Sequence, residues 1–140
     1  MEPNGIVAEF SILVVDDNEG IRETVAVVLS GSGYRCESAK NGVEAMQRVR
    51  QNRFDAVVTD LEMPEMDGIA LTREIRQQFS SLPVMVMTGH SDEEYRESAF
   101  RAGAKEFLSK PFDIPDLIRK LQKMLIGQNV GKEQLLPERA

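Results

Sequence analysis

Short, continuous apolar runs separated by longer amphipathic stretches constrain this chain more than any other feature. ILVV at 12–15, AVV at 56–58 and VMVM at 84–87 show no polar–apolar alternation. A strand that is apolar at every residue is covered on both faces, as parallel strands are between two layers of helices. The runs and their neighbours predict strands at Ser11–Val15, Tyr34–Ser38, Phe54–Thr59, Pro83–Thr88 and Lys105–Ser109. Helical spacing connects them: Ile21, Val25, Val28 and Leu29 share one face, and Val43, Met46 and Val49 another. Ile69, Leu71, Ile75 and Phe79 mark a third helix, and Leu117, Ile118, Leu121 and Leu125 a last one. Asn41 with Glu44, and Ser91 with Glu94, read as capping boxes, while Asp113 caps the last helix with Pro115 in its first turn. Gly31, Gly33 and Gly103 punctuate the returns to strand. Five βα units with right-handed crossovers make a doubly wound α/β sandwich with helices on both sides of one parallel sheet.

A chain of 140 residues suits one such domain. Residues 1–9 read as a lead-in, 10–126 as the domain and 127–140 as a polar, frayed tail. Lys and Arg number 17 against 23 for Asp and Glu, a net charge of −6, which argues against direct nucleic-acid or acidic-membrane contact. The longest apolar run, Val25–Leu29, is too short for a membrane span or a signal segment. Cys36, the single cysteine, has no disulfide partner in the chain and reads as an inert, half-buried thiol. These features predict a soluble cytoplasmic domain.

In open α/β sheets the reactive crevice lies beyond the carboxyl ends of the strands, near a topological switch point. The first strand ends in Asp16-Asp17, the third in Asp60 and the fourth in Thr88, and the fifth is followed by Lys110-Pro111. Three carboxylates packed together repel one another unless a cation joins them. Mg²⁺ suits such a set, since it takes one or two carboxylates, several waters and a phosphate oxygen. A carboxylate also serves as a nucleophile toward phosphorus, and Lys110 and the Thr88 hydroxyl, at a solvent-facing crevice, would neutralise the phosphoryl oxygens.

VVDDN at 14–18, TDLEMPEMDG at 59–68, MTGH at 87–90 and GAKEFLSKPF at 103–112, in that order, resemble the receiver domain of two-component response regulators, the CheY-like superfamily. The likeness covers about Ser11 to Leu125. It implies a flavodoxin-like strand order 2-1-3-4-5, with Asp60 as phosphoacceptor and Mg²⁺ held by Asp16, Asp17, Asp60 and the backbone carbonyl of Glu62. It further implies that Thr88 and Lys110 contact the phosphoryl group and that the Lys110–Pro111 bond is cis. Phe107 stands at the position of the family's switch aromatic, often Tyr, so that its preference for a buried position would come from packing alone. The implied partners are a histidine kinase or histidine phosphotransfer protein, and a downstream protein target. The latter would be met by the fourth helix, fifth strand and fifth helix, roughly Ser91 to Leu125. Nothing at the C-terminus resembles a DNA-binding helix-turn-helix, which favours a stand-alone receiver.

Blander roles weigh against each residue taken singly. An Asp pair after a strand more often shapes a turn or caps a helix, Thr88 could simply end a strand, and Lys110 could snorkel over apolar surface. Their convergence from four strands favours the chemical reading. Met85 and Met87 read as core filler, Pro64 and Gly68 as loop-shaping residues, and His90 as a rim histidine tuning water access. A Mg²⁺-dependent phosphohydrolase would also use an Asp nucleophile, but with Asp-x-Asp on the first strand. Here Asp60 is on the third strand, followed by Leu61-Glu62. A receiver acting only as a constitutive interaction domain would lack key positions, and none is missing.

Overall fold

The computed structural model describes residues 9–90 and 92–135, with side chains as far as Ile126. Its elements alternate throughout: β1 (Ser11–Val15), α1 (Glu19–Gly31), β2 (Arg35–Ala39), α2 (Gly42–Gln51), β3 (Ala56–Asp60), α3 (Gly68–Gln78), β4 (Val84–Thr88), α4 (Glu93–Arg101), β5 (Glu106–Ser109) and α5 (Ile114–Leu135). All paired strands are parallel, and the sheet order is β2-β1-β3-β4-β5. This is the doubly wound arrangement that the sequence predicts, in the flavodoxin-like order that the family resemblance implies.

The continuous apolar runs are explained by two cores, one on each face. Ile12, Val14, Ala56, Val58, Met85 and Met87 join Val25 and Leu29 of α1 and Leu117 and Leu121 of α5. Their neighbours Leu13, Val15, Val57, Val84 and Val86 face the other way, onto Ala45, Met46, Leu71, Ile75 and Ala99 of α2, α3 and α4. Side chains alternate along a strand, so both halves of each run need apolar residues. Edge strand β2, RCESA, alternates in burial instead.

Side-chain caps start four helices, at Asn41 and Asp113 as the sequence predicts and also at Asn18 and Asp67. Asn18 Oδ1 accepts Ile21 N–H at 3.0 Å, Asp67 accepts Ala70 N–H at 2.8 Å, and Asp113 accepts Asp116 N–H at 2.9 Å. At α2 Asn41 accepts Glu44 N–H at 2.8 Å, while the Glu44 carboxylate reaches back to Lys40 N–H at 2.7 Å. Gly33 and Gly103 take φ of 98° and 113°, the left-handed region where a Cβ is strained.

Two expectations are revised. Val43 is 49% exposed rather than inward, because α2 turns Gly42, Ala45, Met46 and Val49 to the core. The segment 127–135, read as tail, continues α5 to Leu135. Gly127 and Gly131 each weaken a helix by about 1 kcal/mol without breaking it. The Ser91 half of the proposed α4 cap lies outside the described residues, and Asp92 at the helix start makes no side-chain cap bond. Among the described residues no helix is long and apolar enough to cross a membrane.

Candidate functional site

The chain leaves β1 for β2 on one side and returns to β3 on the other, which opens a crevice at the carboxyl ends of β1 and β3. Asp16 follows β1 and Asp60 closes β3, so the two acids flank that crevice. Carboxylate oxygens of Asp16, Asp17 and Asp60 all lie within 4.8 Å of one another. Asp16 and Asp60 are buried, at 1% and 4% exposure, whereas Asp17 faces solvent.

Lys110 answers part of this negative charge. Its Nζ donates to Asp60 Oδ1 at 2.8 Å and lies 3.4 Å from Asp16 Oδ2. Burial would lower the Lys110 pKa, but Asp60 and Asp16 outweigh it and hold it above the ordinary lysine value. One ammonium does not satisfy three acids. Burial pushes the Asp60 carboxyl up to about 6; the hydrogen bond from Lys110 opposes this, and Asp16 and Glu62 add to it. A hard, oxygen-seeking cation suits such a donor set, since it would relieve repulsion that the protein leaves uncompensated.

Local backbone geometry holds these groups. Asp16 Oδ1 accepts Asn18 N–H at 2.9 Å, and Arg22 of α1 donates to the Asp16 carbonyl at 2.8 Å. Lys110 N–H donates to the Thr88 carbonyl at 2.7 Å, carrying the β4–β5 ladder beyond Ser109, and the Lys110–Pro111 bond is cis. Gly68 lets α3 approach the end of β3: a Cβ there would sit 2.3 Å from the Asp60 carbonyl oxygen. The turn between them holds Glu65 at φ 71°, a left-handed conformation that costs a non-glycine residue about 1 kcal/mol.

Thr88 departs from the solvent-facing position expected of it. It is fully buried, and its hydroxyl donates to Glu62 Oε2 at 2.7 Å while accepting His90 N–H at 2.9 Å. Lys110 is also mostly covered, with 19% of its side chain exposed. The rim beyond Thr88 is open. His90 Nε2 lies 3.3 Å from Glu62 Oε2, and the His90 ring packs on Tyr95 of α4 with centroids 5.4 Å apart. Phe107 is buried on β5, 6.5 Å from the ring of Phe100, and Lys120 of α5 donates to its carbonyl at 2.7 Å.

The family model for the response regulator receiver domain matches residues 12–122. This chain belongs to that family. The response regulator MprA of Mycobacterium sp. (strain KMS) is 40% identical over 114 residues, which are 81% of this chain and 50% of that protein. The DNA-binding transcriptional regulator NtrC of Escherichia coli (strain K12) is 37% identical over 114 residues, 81% of this chain and 24% of that protein. The receiver thus spans half the length of the first relative and about a quarter of the second. Among solved structures, chemotaxis protein CheY4 of Vibrio cholerae superposes with a TM-score of 0.81 at 32% identity, covering 84% of this chain and all of that one. Response regulator TrrA of Thermotoga maritima, solved in complex with Mg(2+)-BeF, gives 0.77 at 34% identity, covering 83% of this chain and 99% of that one.

The fold brings together Asp16, Asp17, Asp60 and Lys110, ties the Thr88 hydroxyl to Glu62 and His90, and sets Phe107 apart in the core against Phe100 of α4. Sequence reading missed Arg22 and the Glu62 side chain. Arg22 carried a signal: four residues past the cap Asn18, it lies one helical turn on, within reach of the β1 end. Glu62 was assigned a backbone carbonyl only, and nothing in TDLEMPEMDG says which way its carboxylate turns.

Proposed function

We propose that this receiver takes a phosphoryl group from a partner's phosphohistidine onto Asp60, with Mg²⁺, and thereby changes the surface formed by α4, β5 and α5. The observation that carries the reading is the convergence of Asp16, Asp17 and Asp60 within 4.8 Å, with the Lys110 ammonium 2.8 Å from the Asp60 carboxylate. Transfer forms a bond from an Asp60 carboxylate oxygen to phosphorus and breaks the P–N bond, whose electron pair leaves with the partner's imidazole. Asp60 attacks as the carboxylate, and with a pKa of about 6 it is mostly ionised at neutral pH. Asp16, Asp17, Asp60 and the Glu62 carbonyl would hold Mg²⁺, which supplies positive charge to the phosphoryl oxygens. Lys110 already sits beside Asp60 and needs only to turn its ammonium onto a phosphoryl oxygen. Thr88, two strands from Asp16 and paired in register with Ser109 of β5, has the only hydroxyl proposed to follow the new charge.

Support for the output surface lies above Phe107. Tyr95 and Phe100 of α4 are 39% and 38% exposed, Arg96 lies over the Phe100 ring, and Phe100 touches buried Phe107. Exposed aromatic residues on one helix suit a protein partner. The donor would be a histidine kinase or histidine phosphotransfer protein, as the family implies, acting in the cytoplasm.

Treatment with a small acyl phosphate donor followed by intact-mass spectrometry tests the reading. One phosphoryl adduct should form with Mg²⁺, none in chelator and none in Asp60→Asn. An adduct that persists in Asp60→Asn removes Asp60 from this role.

A further inference from the structure

We propose that the Glu62 carboxylate is a positioning group that holds the Thr88 hydroxyl in its resting arrangement, and so sets how readily this receiver switches. The inference rests on Asp60 being the phosphoacceptor and adds a residue that opposes the phosphorylated state.

A threonine hydroxyl has one hydrogen to give. Here that hydrogen goes to Glu62 Oε2 at 2.7 Å, and the hydroxyl oxygen is also occupied, accepting His90 N–H at 2.9 Å. The acceptor is a carboxylate, so the bond is of the stronger, charge-assisted kind. Its donor is fully buried, where a lost partner is not replaced by water. A hydroxyl that donates to Glu62 has no hydrogen left for a phosphoryl oxygen on Asp60. Contact with the phosphoryl group therefore requires this bond to break.

The same Glu62 oxygen lies 3.3 Å from His90 Nε2, and His90 packs on Tyr95 in the first turn of α4. The rim that meets Thr88 thus reaches the helix proposed to carry the output. An interaction made in one state only shifts the balance between two states by its own free energy, and removing it raises the population of the other. Glu62 acts on the resting side of that balance.

The test uses beryllofluoride as a phosphoryl mimic, titrated into Mg²⁺-saturated protein and followed by amide NMR, with Mg²⁺ affinity of each variant measured separately by calorimetry. Wild type should bind the mimic and Asp60→Asn should not. Glu62→Ala should bind it about five- to tenfold more tightly after correction for Mg²⁺ occupancy. Without mimic, its amides at Thr88–His90 and in α4 should already move toward the bound positions. In a Thr88→Val background, Glu62→Ala should bring no gain, because the bond it removes is already absent. Unchanged or weaker binding in Glu62→Ala, or an equal gain in the Thr88→Val background, overturns the role of Glu62. Failure of wild type to bind beryllofluoride overturns the phosphoacceptor reading instead.

Discussion

The two flanks of Asp60 are built differently. On one side Lys110 and Asp16 have side chains 19% and 1% exposed, and each is tied to backbone by its own hydrogen bonds. On the other, Glu62 and His90 have side chains 45% and 58% exposed, and the Thr88 hydroxyl joins both to the core, donating to Glu62 and accepting His90 N–H. Removing one partner from a buried ion pair is expensive, whereas an exposed pair contributes about 0–1 kcal/mol. The first flank is therefore suited to hold charge in place, and the second to exchange the one Thr88–Glu62 bond for another partner. The phosphoryl chemistry and the readout proposed above would meet at one aspartate but draw on groups of opposite exposure.

The largest effect that breaks this division comes from moving Asp60 itself, which both flanks share. Gly68→Ala puts a Cβ 2.3 Å from the Asp60 carbonyl, a backbone atom that gives way only if β3 or α3 shifts. Urea denaturation should show a loss of about 3 kcal/mol, the upper range for overpacking. Gly42→Ala is the control: its Cβ meets the flexible side chain of Met66, so it should cost clearly less. Equal losses would mean that Gly68 is not fastening the end of β3.

A smaller effect sharpens the electrostatic half of the comparison. Asp60 keeps its proton up to about pH 6 in the folded protein, against an ordinary aspartate value of 3.8. Between those values the folded state binds more protons than the unfolded one, so stability without Mg²⁺ should fall as pH rises from about 4 to 6 and level off above. The raised Lys110 pKa acts only above about pH 10 and leaves this window alone. Denaturation in chelator across this range should show the slope in wild type and a weaker one in Asp60→Asn. An identical slope in both would place the responsible carboxyl elsewhere.

What the sequence reveals divides along similar lines. The sheet was legible because burial on both faces writes itself as ILVV and VMVM, and the places of Asp16, Asp60, Thr88 and Lys110 at the carboxyl ends of their strands were legible with it. The partners of their side chains were not. That Thr88 turns its hydroxyl to Glu62, and is buried rather than facing solvent, depends on one rotamer and on a loop whose left-handed Glu65 no glycine or asparagine announces. Val43 misled because i, i+3 spacing admits two faces of α2, and contact with the sheet chose the one carrying Ala45. The extension of α5 was hidden by glycines that weaken a helix without ending it.

The most direct test of the two-flank account is a crystal structure of the protein with Mg²⁺ and beryllofluoride. The account predicts the adduct on an Asp60 carboxylate oxygen and the Thr88 hydroxyl turned onto fluoride, beyond hydrogen-bond reach of Glu62. Asp16 and the Lys110 backbone should keep the tethers to Asn18, Arg22 and Thr88 that they have now. A complex in which Thr88 still donates to Glu62 while the Asp16–Lys110 side has rearranged would contradict it.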